Sequence, residues 1–256
     1  MLSIVKRLLP EFGTTYAPSG PGPFPSIVVL HGSEGGLSGW SHCISIFASH
    51  GFLAYPHAYS QGGNAGNAGS IKDIPIDRTA KALSAVRQFE HTSDSVGVYG
   101  VSRGGEHALL LASLLASEEA VGQPDALAAH SAPDVVCGAF HAKTYRDSGD
   151  PGWQEWDPAD RAWTWRGESE NLKPTTPIEI ERYQGPIFLS HGTKDKVWSV
   201  EMTKRLENKL KDRAGHLEVH YYEGEDHICR SEADNKHHEL LVQFFTRFLQ
   251  PDTEYS

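Results

Sequence analysis

The sequence predicts an α/β fold in which a mostly parallel central sheet carries helices on both faces. Three observations predict it. Short apolar, β-branched runs alternate with amphipathic helical segments along most of the chain. One strand-to-helix junction, Gly100-x-Ser102-x-Gly104, has the small-residue spacing of a turn too tight to admit side chains beside it. A length of 256 residues with 39% hydrophobic side chains suits one large unit, so a single domain is expected over residues 1–256.

Taken in order, residues 1–10 hold Lys6 and Arg7 inside a short apolar stretch, a poor pattern for an export signal. A turn-rich approach over 19–25 leads to 26–30, SIVVL, the expected first central strand. It stops at His31-Gly32-Ser33-Glu34-Gly35-Gly36, where glycines let the backbone turn and expose its own N–H groups. A helix follows with Trp40, Ile44 and Phe47 on one face and Gly51 past its end, then a strand over 52–55. The Gly- and Asn-rich run 61–69 reads as a surface loop. A second helix, opened by Pro75, puts Ile76, Ala80, Leu83 and Val86 on one side.

Residues 95–99 have strand composition, and 108–116 is an uncharged helix former suited to packing on a sheet. For the next strand, 126–130 and 135–140 are both open, because periodicity does not separate them. Residues 143–176 break the alternation. They are rich in Asp, Pro and Gly and carry Trp153, Trp156, Trp163 and Trp165, which predicts a cap-like, Trp-rich excursion at the active edge with Trp163 facing substrate. Order returns with a strand from 186 that ends in a glycine turn before Asp195. A helix over about 200–213 spaces Met202, Leu206 and Leu210 by four, 217–222 alternates as the last strand, and a helix over 240–249 closes the chain.

Charge and cysteine usage narrow the function classes. A net charge of -10 argues against a nucleic-acid or anionic-membrane surface. Three cysteines, Cys43, Cys137 and Cys229, are an odd number without metal-ligand spacing, so neither a disulfide framework nor a zinc site is expected. A reducing compartment, the cytoplasm, follows as an expectation. No run approaches the roughly 20 apolar residues of a membrane span. No cofactor motif stands out, and none is expected.

Ser102, Asp195 and His227 each follow an expected strand, so all three should reach the sheet edge at the strands' carboxyl ends, where reactive groups collect. Their order, Ser, Asp, His, differs from those of chymotrypsin-like and subtilisin-like proteases. The residue types fit one chemistry. A serine hydroxyl needs an imidazole to take its proton, and the imidazole needs a carboxylate to fix its tautomer. The oxyanion would need donors, for which the backbone N–H groups of Arg103 and Ser33 are the candidates, with Glu34 as an alternative to Ser33. Glu34 and Trp198 are further candidates for substrate contact. His216 and His220 are poorer bases than His227, lying before and inside the last strand, and Asp226 is too close in sequence to His227 to face it. His31 and His191 are near the site by position. Glu106 opens the helix after Ser102 and reads as a carboxylate favouring the helix dipole.

Four stretches carry a family resemblance: LHGSEGGL at 30–37, GVSRGGEHALLLAS at 100–113, AWTWRG at 162–167 and GTKDKVW at 192–198. Together they resemble the catalytic domain of the acyl-CoA thioesterase and bile acid-CoA:amino acid N-acyltransferase family, over about residues 21–249. More loosely the chain is similar to dienelactone hydrolases. The resemblance implies an α/β-hydrolase fold, with Ser102 as nucleophile, Asp195 as acid and His227 as base. It favours 126–130 as the strand and 133–138 as an active-site loop. Acyltransferase members use cysteine as nucleophile, so Ser102 implies transfer to water. The expected function is a serine hydrolase that cleaves a small-molecule acyl ester or thioester through an acyl-enzyme. A peptidase or lactonase on the same fold and a non-catalytic ligand-binding relative are the alternatives.

Overall fold

Strands that are covered on both faces read as continuous apolar runs, and the central strands here are of that kind. The computed structural model describes residues 3–35, 41–61, 69–120, 122–141 and 157–250. Trp40, most of the 61–69 loop, Trp153 and Trp156 lie outside the described residues. Eight strands form the main sheet: β1 (Ile4–Leu9), β2 (Gly13–Pro18), β3 (Phe24–Leu30), β4 (Leu53–His57), β5 (Thr92–Val101), β6 (Ala126–His130), β7 (Ile187–Gly192) and β8 (Leu217–Tyr222). Their order across the sheet is β1-β2-β4-β3-β5-β6-β7-β8. The pairs β1–β2 and β2–β4 are antiparallel and the other five are parallel.

Among the described residues five α-helices cover the sheet: α1 (Ser41–Ser49), α2 (Ile76–Arg87), α3 (Arg103–Ser117), α4 (Val200–Leu210) and α5 (Ser231–Leu249). The alternation of β3 sorts them. Val28 and Leu30 join a core with Leu83, Val86, Leu109 and Leu206, whereas Ile27 and Val29 face Ile44, Phe47, Phe244 and Phe245. So α2, α3 and α4 pack on one face, α1 and α5 on the other. Each fully buried Leu or Phe contributes about 1.5–3 kcal/mol, so the two layers supply most of the drive to fold. Among the described residues no helix is long and apolar enough to cross a membrane.

Several elements differ from expectation. The start of the chain is a two-stranded addition to the sheet edge, and its apolar character was ambiguous because Leu8, 72% exposed, faces solvent while Leu9 is buried. Helix α4 ends at Leu210, and α5 begins at Ser231, nine residues before its apolar half, because the polar first half buries His237. In α2, Thr79 rather than Ala80 is fully buried, and Thr79 Oγ1 lies 3.1 Å from His57 Nε2 and 2.8 Å from His107 Nε2. Pro75 caps α2 rather than opening it. Of the two candidate strands, 126–130 is β6, while Gly138–His141 pairs in a separate three-stranded sheet with Ser70–Ile71 and Asp157–Arg161.

In the described part of the Trp-rich segment, Asp157–Arg161 pairs with Gly138–His141, the strand that carries Phe140, and Trp163–Thr164 pairs with Ile74–Pro75. Trp165 and Arg166 bind Glu118, the C-cap of α3. That helix has 15 residues, so its C-terminus is about 22 Å from the end that carries Ser102.

Candidate active site

The turn between β5 and α3 is a single residue, Ser102, with φ 55° and ψ −121°. A non-glycine residue held there stores roughly 1–3 kcal/mol of strain, sustained by the packing around it. The glycines two residues either side make the geometry possible. A Cβ on Gly100 would lie 2.1 Å from Gly104 O, and one on Gly104 would lie 2.3 Å from His31 O. Ser102 N–H donates to His130 O at 2.9 Å, locking the turn to the end of β6.

Register brings the other candidates to the same edge. Leu30 pairs with Gly100, Val101 with His130, and Ser190 with His130. The loops after β3, β5, β7 and β8 therefore emerge side by side, at the place where β3 is flanked by β4 and β5 and the order of the sheet reverses. Asp195 Oδ2 lies 2.7 Å from His227 Nδ1 and 2.9 Å from His191 Nε2, while Oδ1 accepts from the N–H groups of Val197 and Trp198 at 2.7 and 2.9 Å. Burial pushes the Asp195 carboxyl up, but the hydrogen bonds from His191 and His227 outweigh it and hold the group below the ordinary carboxylate range. Asp226 instead caps its own loop, accepting from the N–H groups of His227 and Lys196.

Ser102 Oγ accepts from the Trp198 indole Nε1 at 3.1 Å. Among the described residues no hydrogen bond joins it to His227, a bond that often forms fully only with substrate present. Neither the Ser33 nor the Arg103 backbone N–H donates to any group among the described residues, so both remain available to an oxyanion. Glu34 Oε1 accepts from Gly32 N–H at 3.0 Å, which braces the loop that carries Ser33. Behind this loop Tyr59 stacks on His31 at 3.9 Å and donates to its carbonyl at 2.9 Å. Burial lowers the pKa of His31.

One expectation needs correction, and a second gains a partner. Trp163 is fully buried and does not line the cavity; its Nε1–H donates to Glu106 Oε1 at 2.6 Å. Glu106 lies in the first turn of α3, as the dipole reading expects, but its side chain is enclosed. It is fully buried, accepts also from Cys137 N–H at 2.7 Å, and lies 2.9 Å from Arg103 Nη1, off-line for a hydrogen bond, so that contact is Coulombic. Burial raises its pKa, against the opposing pull of Arg103. Arg103 Nη2 donates to Gly138 O, so this cavity-lining residue is anchored through its own side chain. The i,i+3 spacing of Arg103 and Glu106 was the available sequence signal, but spacing does not reveal burial. His191 was flagged by position, without a partner.

A cavity of about 440 Å³ is lined by Ser33, Ser102, Trp198, His227, Phe140 and Ile228, with Glu34 and Arg103 also on its wall. Its floor includes His130, which burial pushes down to about 3, and His237, which burial also lowers, so both imidazoles are neutral. Ile228, 54% exposed, presents an apolar side chain beside His227. At the rim His42, Asp234 and His238 hold donor atoms within 4.8 Å of one another, a looser set than closed metal coordination requires. Asp234 meets the two imidazoles at 3.8 and 3.3 Å, separations that suit ion pairing. Cys43, Cys137 and Cys229 are all buried, and among the described residues no disulfide joins them.

Comparisons with known proteins bear on this geometry. A family model described as "BAAT / Acyl-CoA thioester hydrolase C terminal" matches residues 75–231, a span that includes Ser102, Asp195 and His227. The chain is 26% identical over 205 residues to acyl-coenzyme A thioesterase 6 of Mus musculus, covering 75% of this chain and 45% of that protein. It thus spans about half the length of the curated relatives it matches. Among solved structures, a putative dienelactone hydrolase from Klebsiella pneumoniae superposes with a TM-score of 0.67 at 14% identity, covering 97% of this chain and 100% of that one. Esterase 2 of Thermogutta terrifontis, phosphonylated by sarin, gives 0.64 at 16% identity, with 98% and 97% covered. The shared fold is that of the α/β-hydrolases.

Proposed function

Because the chain belongs to the BAAT / acyl-CoA thioester hydrolase C-terminal family, we propose that it hydrolyses acyl thioesters and esters through an acyl-enzyme on Ser102. The observation that carries the reading is that one cavity of about 440 Å³ is lined by Ser102, His227, Ser33 and Arg103 together, and that among the described residues the Ser33 and Arg103 N–H groups donate to no other group. Thioesters are the favoured substrates, since the matching curated relatives are acyl-CoA thioesterases. We read residues 1–256 as one domain, and three cysteines with no disulfide among the described residues suit a reducing, cytoplasmic setting.

In this mechanism His227 Nε2 takes the Ser102 proton as Oγ attacks the acyl carbon. Asp195, bound to Nδ1, fixes the tautomer and stabilises the imidazolium. The Ser33 and Arg103 N–H groups receive the oxyanion. Collapse expels the leaving group, which takes the proton from His227 and leaves the acyl group on Oγ. Water then adds, giving its proton to His227, and the C–Oγ bond breaks to release the acid and restore the hydroxyl.

Hydrolysis of an acyl-CoA series and of matched p-nitrophenyl esters, by the chain and by Ser102→Ala, tests the reading. Turnover of both classes, higher kcat/KM on thioesters and loss of turnover in the variant are expected. Turnover retained by Ser102→Ala would overturn it.

A further inference from the structure

Trp198 touches both halves of the proposed machinery. Its indole Nε1–H donates to Ser102 Oγ at 3.1 Å, its backbone N–H donates to Asp195 Oδ1 at 2.9 Å, and its carbonyl accepts from His191 Nε2 at 3.0 Å. Trp198 is 1% exposed, and its bond to Oγ is buried. The turn from Asp195 to Trp198 thus fixes the acid and aims the indole at the nucleophile in one piece of backbone.

We propose that Trp198 is a catalytic residue, a hydrogen-bond donor to Ser102 Oγ whose main effect is to speed deacylation; this rests on the reading of Ser102 as nucleophile. The oxyanion donors serve the carbonyl oxygen, whereas Trp198 serves the oxygen that attacks and later leaves. Oγ is a good acceptor as a hydroxyl and a poor one as the bridging oxygen of the acyl ester, where its lone pair is delocalised into the carbonyl. In deacylation, water adds to the acyl carbon and passes a proton to His227. The C–Oγ bond then breaks, and Oγ carries negative charge until that proton reaches it. A fixed N–H gains most strength on going from the ester to the departing oxygen, and an interaction stronger in the transition state than in the preceding ground state accelerates that step. In acylation the hydroxyl already accepts the bond, so the gain is smaller.

The test compares a reaction that ends at the covalent adduct with one that turns over. For Trp198→Phe, the rate of Ser102 phosphonylation by a fluorophosphonate should change by less than about 3-fold, while kcat on a p-nitrophenyl ester falls by about 10- to 100-fold and KM falls with it. Intact-mass measurement of the quenched reaction should show more acyl-enzyme than in the wild type. Because phenylalanine leaves part of the indole volume empty, benzothienylalanine incorporated at position 198 provides the second variant, keeping the shape and replacing only the N–H by sulfur. The same split is expected there. Equal losses in labelling and turnover, or an unchanged kcat in the benzothienyl variant, would overturn the proposal. A wild-type chain that is neither labelled nor active would instead overturn the assignment of Ser102, and the proposal with it.

Discussion

His191 Nε2 lies 2.9 Å from Asp195 Oδ2, so the carboxylate beside His227 is also held by an imidazole from the end of β7. With the two backbone donors on Oδ1 and His227 on Oδ2, Asp195 accepts three hydrogen bonds besides the His191 contact, and it sits with 0% side-chain exposure. That environment fixes it as an anion.

The sign of its pH dependence follows. A carboxyl held below its unfolded value of about 3.9 adds stability above that pH and loses it as pH falls toward the folded value. Wild type should therefore exceed Asp195→Asn in unfolding free energy at neutral pH, and the gap should narrow as pH drops below about 4. Urea unfolding across pH checks this; parallel curves would contradict it. The same variant should lose roughly 10⁴-fold in kcat, the order found for this change in serine triads.

Glu106→Gln should be the more damaging half of the buried pair. It leaves the Arg103 guanidinium without an anion in the interior and costs about 3–5 kcal/mol by urea unfolding. Arg103→Met should cost less, because the Glu106 carboxyl, already raised by burial, can take up a proton. Since the folded Arg103→Met chain would then bind a proton that the unfolded chain releases above about pH 4.3, its stability should fall as pH rises through that region. An Arg103→Met loss equal to that of Glu106→Gln and independent of pH would count against this account.

Gly104→Ala should disrupt the site from behind. Its Cβ would stand 2.3 Å from His31 O and 2.5 Å from Leu30 O, both backbone atoms, so relief requires β3 and α3 to separate. A loss of about 3 kcal/mol is expected in thermal or urea unfolding, together with loss of turnover as the Ser33 loop moves away from Ser102. Wild-type stability and activity in this variant would mean that the close approach is not required.

What was legible in the sequence and what was not divides on physical lines. Gly100-x-Ser102-x-Gly104 was readable because a steric demand within five residues leaves its mark on those residues. Asp195 and His227 were readable because parallel strands end at one edge, so a position just after an apolar run is a position in space. Trp163 was misplaced because an irregular segment has no period from which to infer a face; its indole turned inward to meet Glu106. The first half of α5 was missed for the opposite reason, since its buried residue, His237, is polar and bonds Tyr99 and Tyr222 rather than joining an apolar stripe. Trp198 was singled out as a substrate contact, but its bond to Ser102 depends on how a turn is folded, which composition does not record.

The most direct test of the central claim is phosphonylation mapped by mass spectrometry. Incubation with a fluorophosphonate should add one adduct per chain, located on the peptide that contains Ser102, absent in Ser102→Ala and strongly slowed in His227→Ala. An adduct that persists in Ser102→Ala, or a wild-type chain that takes up none, would contradict the account.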